Sequence, residues 1–207
     1  MATIKSIHSV CNSIIQFLHN AYEATPVPYG PPNTTLQDEY PCSFRVLASS
    51  ELKASTDFGT TVSLYLYRVT VNEHLRNQPA LIRRGSASPL AVDLHFLLTI
   101  WSESAVAEQT LCAWAMSLLH QHPLMDVSSL SQEGGWGHDD VVQIIPAELS
   151  NEELMRLWDA LAPDYYLTIP YIARVVRIDP QTASGGRPVV ATRYQYQNHD
   201  GQGDGTH

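Results

Sequence analysis

The side chains best equipped for chemistry in this sequence are its nine histidines and three cysteines. Imidazoles and carboxylates crowd together at His120-Gln121-His122 and at His138-Asp139-Asp140. A divalent metal that activates water is the chemistry such a set would serve. The spacing argues against it. Two histidines one residue apart at a helix end cannot share a helical face, and a protonated His120 there only complements the helix dipole. No spacing matches a known zinc ligand set. The sequence also lacks G-x-S-x-G, a Walker A loop, G-x-G-x-x-G and H-E-x-x-H. Gly134-Gly135-Trp136-Gly137 has the glycines of a phosphate loop but no helix start behind it, so it reads as a flexible surface loop. Cys11, Cys42 and Cys112 form no CxxC pair and read as buried, reduced thiols. A metal hydrolase using His120, His122 and His138 is therefore set aside. The expectation is a protein without catalytic residues, metal or cofactor.

Composition narrows the remaining classes. The 207 residues carry a net charge of −9, which argues against a general nucleic-acid binder. Only 16% of residues are charged, below the usual ~25%, so much of the exterior is cheap to bury against partners. No run approaches the ~20 apolar residues of a membrane span. His8, Asn12 and Gln16 interrupt the N-terminal apolar residues, so no signal peptide is expected. The chain should be made and assembled in the cytoplasm.

The elements that would position these residues follow from periodicity. Ile4, Ile7, Cys11, Ile14, Ile15 and Leu18 recur at helical spacing over residues 3–22, before a proline-rich run that forbids helix and ladder alike. A short strand is expected over residues 44–48. Over residues 61–69 both parities are apolar or aromatic, which predicts an interior strand covered on both faces. Residues 72–84 read as a polar loop. Leu90, Val92, Leu94, Phe96, Leu98 and Ile100 alternate without a break and predict a strand with one core face. A helix over residues 103–120 buries Ala107, Leu111, Trp114, Ala115 and Leu118. Residues 125–140 form a long loop and residues 141–145 a short strand. Ser150-Asn151-Glu152-Glu153 has capping-box spacing and starts a helix that buries Leu154, Leu157, Trp158 and Leu161. Residues 165–178 form a last strand, which Pro170 places at a sheet edge or a break. Strands and helices without regular βαβ alternation predict a mixed α+β (α/β) fold, one mixed sheet with flanking helices. The domain should span residues 1–197, with residues 198–207 a disordered tail.

Several motifs, in order, carry a family likeness. Leu64-Tyr65-Leu66-Tyr67-Arg68-Val69 is followed by Asn72, by Leu75-Arg76-Asn77, and by Pro89-Leu90-Ala91-Val92-Asp93-Leu94-His95-Phe96-Leu97-Leu98-Thr99. The helix with Leu111, Ala115 and Met116 comes next. Then come Ser150-Asn151-Glu152-Glu153-Leu154, Leu157-Trp158-Asp159-Ala160-Leu161 and Tyr166. Over about residues 3–195 the chain resembles the cap, or tail-terminator, proteins of phage-tail-like contractile injection systems. It departs at Pro163-Asp164-Tyr165-Tyr166, where the family carries a serine-containing turn.

The resemblance implies a phage tail-terminator-like fold and no catalytic residues. It implies a homohexameric ring that stops inner-tube and sheath growth at the end opposite the baseplate, as part of the tail-like particle. Its partners would be further copies of itself and the tube and sheath subunits, without nucleic acid or a membrane. An interaction or adaptor module of the same fold, anchoring a tail-like particle to another partner, is the alternative. Arg68, Asn72, Leu75, Arg76 and Asn77 are the interface candidates, clustered where an apolar strand gives way to a polar loop. Arg68 interrupts that strand, so it needs either an intramolecular partner or a place at an interface. The last strand would offer an edge for strand addition by sheath arms.

Overall fold

A computed structural model of the chain describes residues 2–27, 33–52, 57–72, 89–161 and 164–179. Its elements run α1 (Ser6–Ala24), α2 (Leu36–Glu39), β1 (Ser43–Leu47), β2 (Thr61–Val71), β3 (Leu90–Trp101), α3 (Ala105–Gln121), β4 (Leu124–Met125), β5 (Val142–Pro146), α4 (Asn151–Ala160) and β6 (Thr168–Ile178). The six strands make one sheet in the order β1-β2-β3-β6-β5-β4. Only β1 runs parallel to its neighbour, β2; the other pairs are antiparallel. The fold is thus a single mixed sheet with flanking helices.

The central strand explains the layers. On β3, Val92, Leu94, Phe96, Leu98 and Ile100 are all nearly inaccessible. Each contributes roughly 1.5–3 kcal/mol by leaving water. They meet Val10, Cys11, Ile14, Ile15, Leu18 and Tyr22 of α1 and Leu111, Ala115 and Leu119 of α3. Ile4 does not join this stripe; it lies ahead of the helix and is exposed. The opposite parity of β3 faces a smaller second core at one end only. There Trp101 packs with Leu47, Leu52 and Trp158, and its indole N–H donates to Ser63 Oγ at 2.8 Å. Trp158 comes from α4, whose start is fixed by reciprocal bonds: Glu153 N–H to Ser150 Oγ (3.2 Å) and Ser150 N–H to Glu153 Oε2 (3.0 Å).

Three local expectations change. First, β2 is not covered on both faces throughout. Leu66 pairs with Phe96 but Arg68 pairs with His95, so Tyr67 is an extra residue in the ladder. A one-residue bulge exchanges the faces. The core parity moves from Val62 and Leu64 to Val69 and Val71, and this is why both parities look apolar in the sequence.

Second, β6 lies inside the sheet, between β3 and β5, and is neither an edge nor a strand-addition edge. Pro170 is tolerated because its carbonyl accepts from Ala147 N–H at 2.9 Å, on the β5 side. Its missing N–H points the same way, where that ladder ends at Pro146↔Tyr171, so the ladder with β3 loses nothing.

Third, the glycine-rich segment is not a free loop. It forms a short 3-10 turn (Gln132–Gly134) seated on α1, with Gly135 in the left-handed region at φ 65. The Trp136 indole N–H donates to Ser9 Oγ (3.1 Å) and to Ser131 O (3.0 Å). Ser13 Oγ accepts from Ser131 N–H (2.8 Å), and Gly134 O accepts from Thr3 N–H (2.7 Å).

Candidate assembly interface

β2 and β3 run on past the second core to a distal end where, among the described residues, Arg68 is exposed and Thr70, Asp93 and His95 are half-buried on the Trp101 side of the sheet. Two of the five sequence candidates, Arg68 and Asn72, lie there. Arg68, exposed by the bulge, faces the same side as Thr70, Asp93 and His95. Thr70 Oγ1 and His95 Nε2 are 2.9 Å apart, and the Tyr67 ring stands edge-on to the imidazole, 6.1 Å between centroids. Asn72 is buried: its side-chain amide donates to both oxygens of Asp93 at 3.1 Å, and its backbone N–H donates to Ala91 O at 2.9 Å. Asn72 thus ties the end of β2 to β3. Leu75, Arg76 and Asn77 lie outside the described residues.

The electrostatics are local. Burial, and then the positive Arg68, hold His95 below its ordinary value, while Asp93 pulls the other way. Glu153 is held below its ordinary value first by its bonds from Ser150 and then by Arg68. Arg68 is thus balanced through space by α4, and among the described residues it makes no close ion pair. The Asp93 carboxylate is engaged by Asn72 and acts on His95 only through space. Thr70, His95 and Asp93 therefore form a polar surface patch in which Asp93 bonds Asn72 rather than orienting the imidazole.

On the same side, beyond β6, a cleft of about 320 Å³ is lined by Asp139, Asp140, Gln143, Arg174 and Arg177. Among the described residues the buried Arg174 Nε has no acceptor. On the opposite, core side of the distal end, Val69, Val71 and Leu90 are 44%, 49% and 47% exposed.

The side chains weighed for metal chemistry are scattered. The His122 ring packs on Phe17 at 5.6 Å, His120 is exposed, and His138 meets only its neighbour Asp139 at the surface. Among the described residues no three His, Cys, Asp or Glu side chains are grouped to hold an ion. The three cysteines are free, and burial pushes Cys11 up to about 11 and Cys42 up to about 12. Among the described residues no helix is long and apolar enough to cross a membrane.

Asp93, His95, Thr70 and Arg174 are members of this surface that the sequence reading passed over. The signal was present for two of them. Asp93 and His95 are the charged and titratable residues on the non-core parity of β3, the parity that an outward face would show.

The fold has solved relatives. The sheath/tube terminator of an extracellular contractile injection system, PVC, in its extended state matches with a TM-score of 0.55 and 16% identity, over 95% of this chain and 65% of that one. The anti-feeding prophage cap, the AFP tube-terminating cap, matches with a TM-score of 0.50 and 16% identity, over 90% of this chain and 60% of that one. The chain thus spans somewhat under two thirds of the length of these terminators. No curated protein matches the sequence. A family model, by contrast, matches residues 9–192, nearly the whole chain, and by it this protein belongs to the Pvc16 N-terminal domain family.

Proposed function

We propose that this protein is a structural cap of a contractile injection system: a ring that ends growth of the inner tube and the sheath at the end opposite the baseplate. The observation that carries the reading is the family match over residues 9–192. The fold shared with a sheath/tube terminator and a tube-terminating cap supports it. The physical requirement is modest. A heterologous contact between copies that closes on itself gives a ring. One face of that ring must fit the last layer of a polymer, and the other must lack the surface that recruits the next. The protein acts by surface complementarity and not by catalysis. It forms a homohexamer from residues 1–197, assembles in the cytoplasm and then remains part of the particle. Arg68, Asn72, Leu75, Arg76 and Asn77 belong to the contact region. The distal end of β2 and β3, with exposed Val69 and Val71 on one side and Arg68 on the other, is the part of the described surface best suited to it.

Electron microscopy of the purified chain, alone and mixed with inner tube, tests this reading. Class averages should show six-fold rings seated on one end of the tube. A protein that stays monomeric and leaves tube ends bare would overturn it.

A further inference from the structure

The cleft beyond β6 owes its lining to an irregularity in that strand. Leu94 pairs with Ala173 but Val92 pairs with Val176, so Arg174 and Val175 together stand opposite Asp93. This is a one-residue bulge, a device that re-aims side chains. A regular strand would put Arg174 and Arg177, three residues apart, on opposite faces. Here Tyr171, Ala173 and Val176 are the buried residues. The parity has shifted by one, and both arginines line the same cleft.

Two neighbouring cations call for counter-charges, and the cleft does not bring any into contact with them. Asp139 and Asp140 line it. Yet Asp140 Oδ2 accepts from Gly137 N–H at 2.7 Å, and Asp139 lies at the surface, 3.0 Å from His138 Nδ1. Among the described residues neither arginine is within ion-pair distance of a carboxylate. The Arg174 Nε–H is also withdrawn from the surface without an acceptor. Such a donor is costly to leave unmade, so the site is complete only when a ligand supplies the acceptor.

The lining fixes what that ligand can be. A planar pair of oxygens matches the guanidinium fork. Asp139 and Asp140 in the walls repel a second negative charge. Val141 and Val175 give an apolar wall beside the arginines, and about 320 Å³ is at the small end of ligand cavities. We propose that the cleft is a binding site for a singly charged carboxylate on a short aliphatic stem. Arg174 and Arg177 grip the carboxylate, and Val141 and Val175 pack on the stem. A short-chain carboxylic acid carries this group, and so does a glutamate side chain of a second copy of the chain. The site does not depend on the capping role.

An NMR titration of the full chain with propionate, at constant ionic strength set with chloride, tests the proposal. The Arg174 Nε–H signal should move to saturation. Arg177 is exposed, so Arg177→Gln should keep the fold and weaken propionate about two- to fivefold. Inorganic phosphate should bind more weakly than propionate. An Arg174 signal that does not move saturably would overturn the proposal. So would equal propionate affinity in Arg177→Gln, or phosphate that binds more tightly than propionate. The source of the carboxylate is read without added acid. A signal that moves on dilution of the protein assigns it to a second copy, and one that stays assigns it to a free acid.

Discussion

Gly134→Ala tests whether the glycine-rich segment is a dock on α1. A Cβ built at this position lies 2.3 Å from Trp136 Nε1, 2.5 Å from Trp136 Cε2 and 2.8 Å from Ser9 Oγ. The indole must therefore move. Moving it breaks the bonds to Ser9 Oγ and Ser131 O, worth about 0.5–1.5 kcal/mol each. Forced repacking adds about 1–3 kcal/mol. Alanine's smaller unfolded-state entropy returns about 0.4–1 kcal/mol. The backbone adds no strain, since Gly134 is not among the positive-φ glycines. The expected net loss is about 2–3 kcal/mol, or a Tm lower by about 4–12 °C. Denaturant titration measures it, and a cycle with Trp136→Ala isolates the cause. With the indole gone most of the clash is gone, so the two changes should couple by more than about 1 kcal/mol. A loss under about 0.5 kcal/mol, or the same loss in both backgrounds, would refute the reasoning.

Asn72→Ala should cost about 1–2 kcal/mol in denaturant titration, because it strips the partly exposed Asp93 of a charge-assisted partner. His95 should make stability depend on pH. Burial, with Arg68 second, holds it below its ordinary 6.5, so the unfolded chain takes up this proton before the folded one. Its contribution is full above pH 6.5 and is lost as pH falls from there toward the folded value. His95→Gln should therefore flatten the wild-type decline in stability as pH falls below 6.5. Arg68→Gln removes the cation beside the imidazole and should raise the His95 pKa in an NMR titration. Deleting residues 198–207, which hold no apolar side chain to offset the ~1–2 kcal/mol per residue that ordering costs, should leave Tm and capping unchanged.

The legible parts of the fold were those where one physical signal dominated. The unbroken alternation of β3 and the Ser150–Glu153 box of α4 each specify an element by a local rule, and both stand where the sequence puts them. What was missed depends on contacts distant in sequence. Both parities of β2 look apolar because a bulge at Tyr67 exchanges the faces, and no propensity marks a bulge whose extra residue is not glycine. Pro170 predicts an edge or a break; the edge is wrong and the break is right, because its missing N–H faces the end of the β5 ladder. The turn at Gly134 reads as a loop because its partners, Ser9 and Ser13, are polar residues in a helical stripe that looks merely interrupted. Of the interface candidates, Arg68 and Asn72 fall together at the distal end of the sheet. Their companions Thr70, Asp93 and His95 become visible only once β2 and β3 are set in register.

The most direct test of the capping account is to follow inner-tube polymerisation with and without this protein. The account predicts that the chain binds one tube end, that elongation stops there, and that mean tube length falls as the protein-to-subunit ratio rises. Tubes that elongate equally at both ends, with no density from the chain at either, would contradict it.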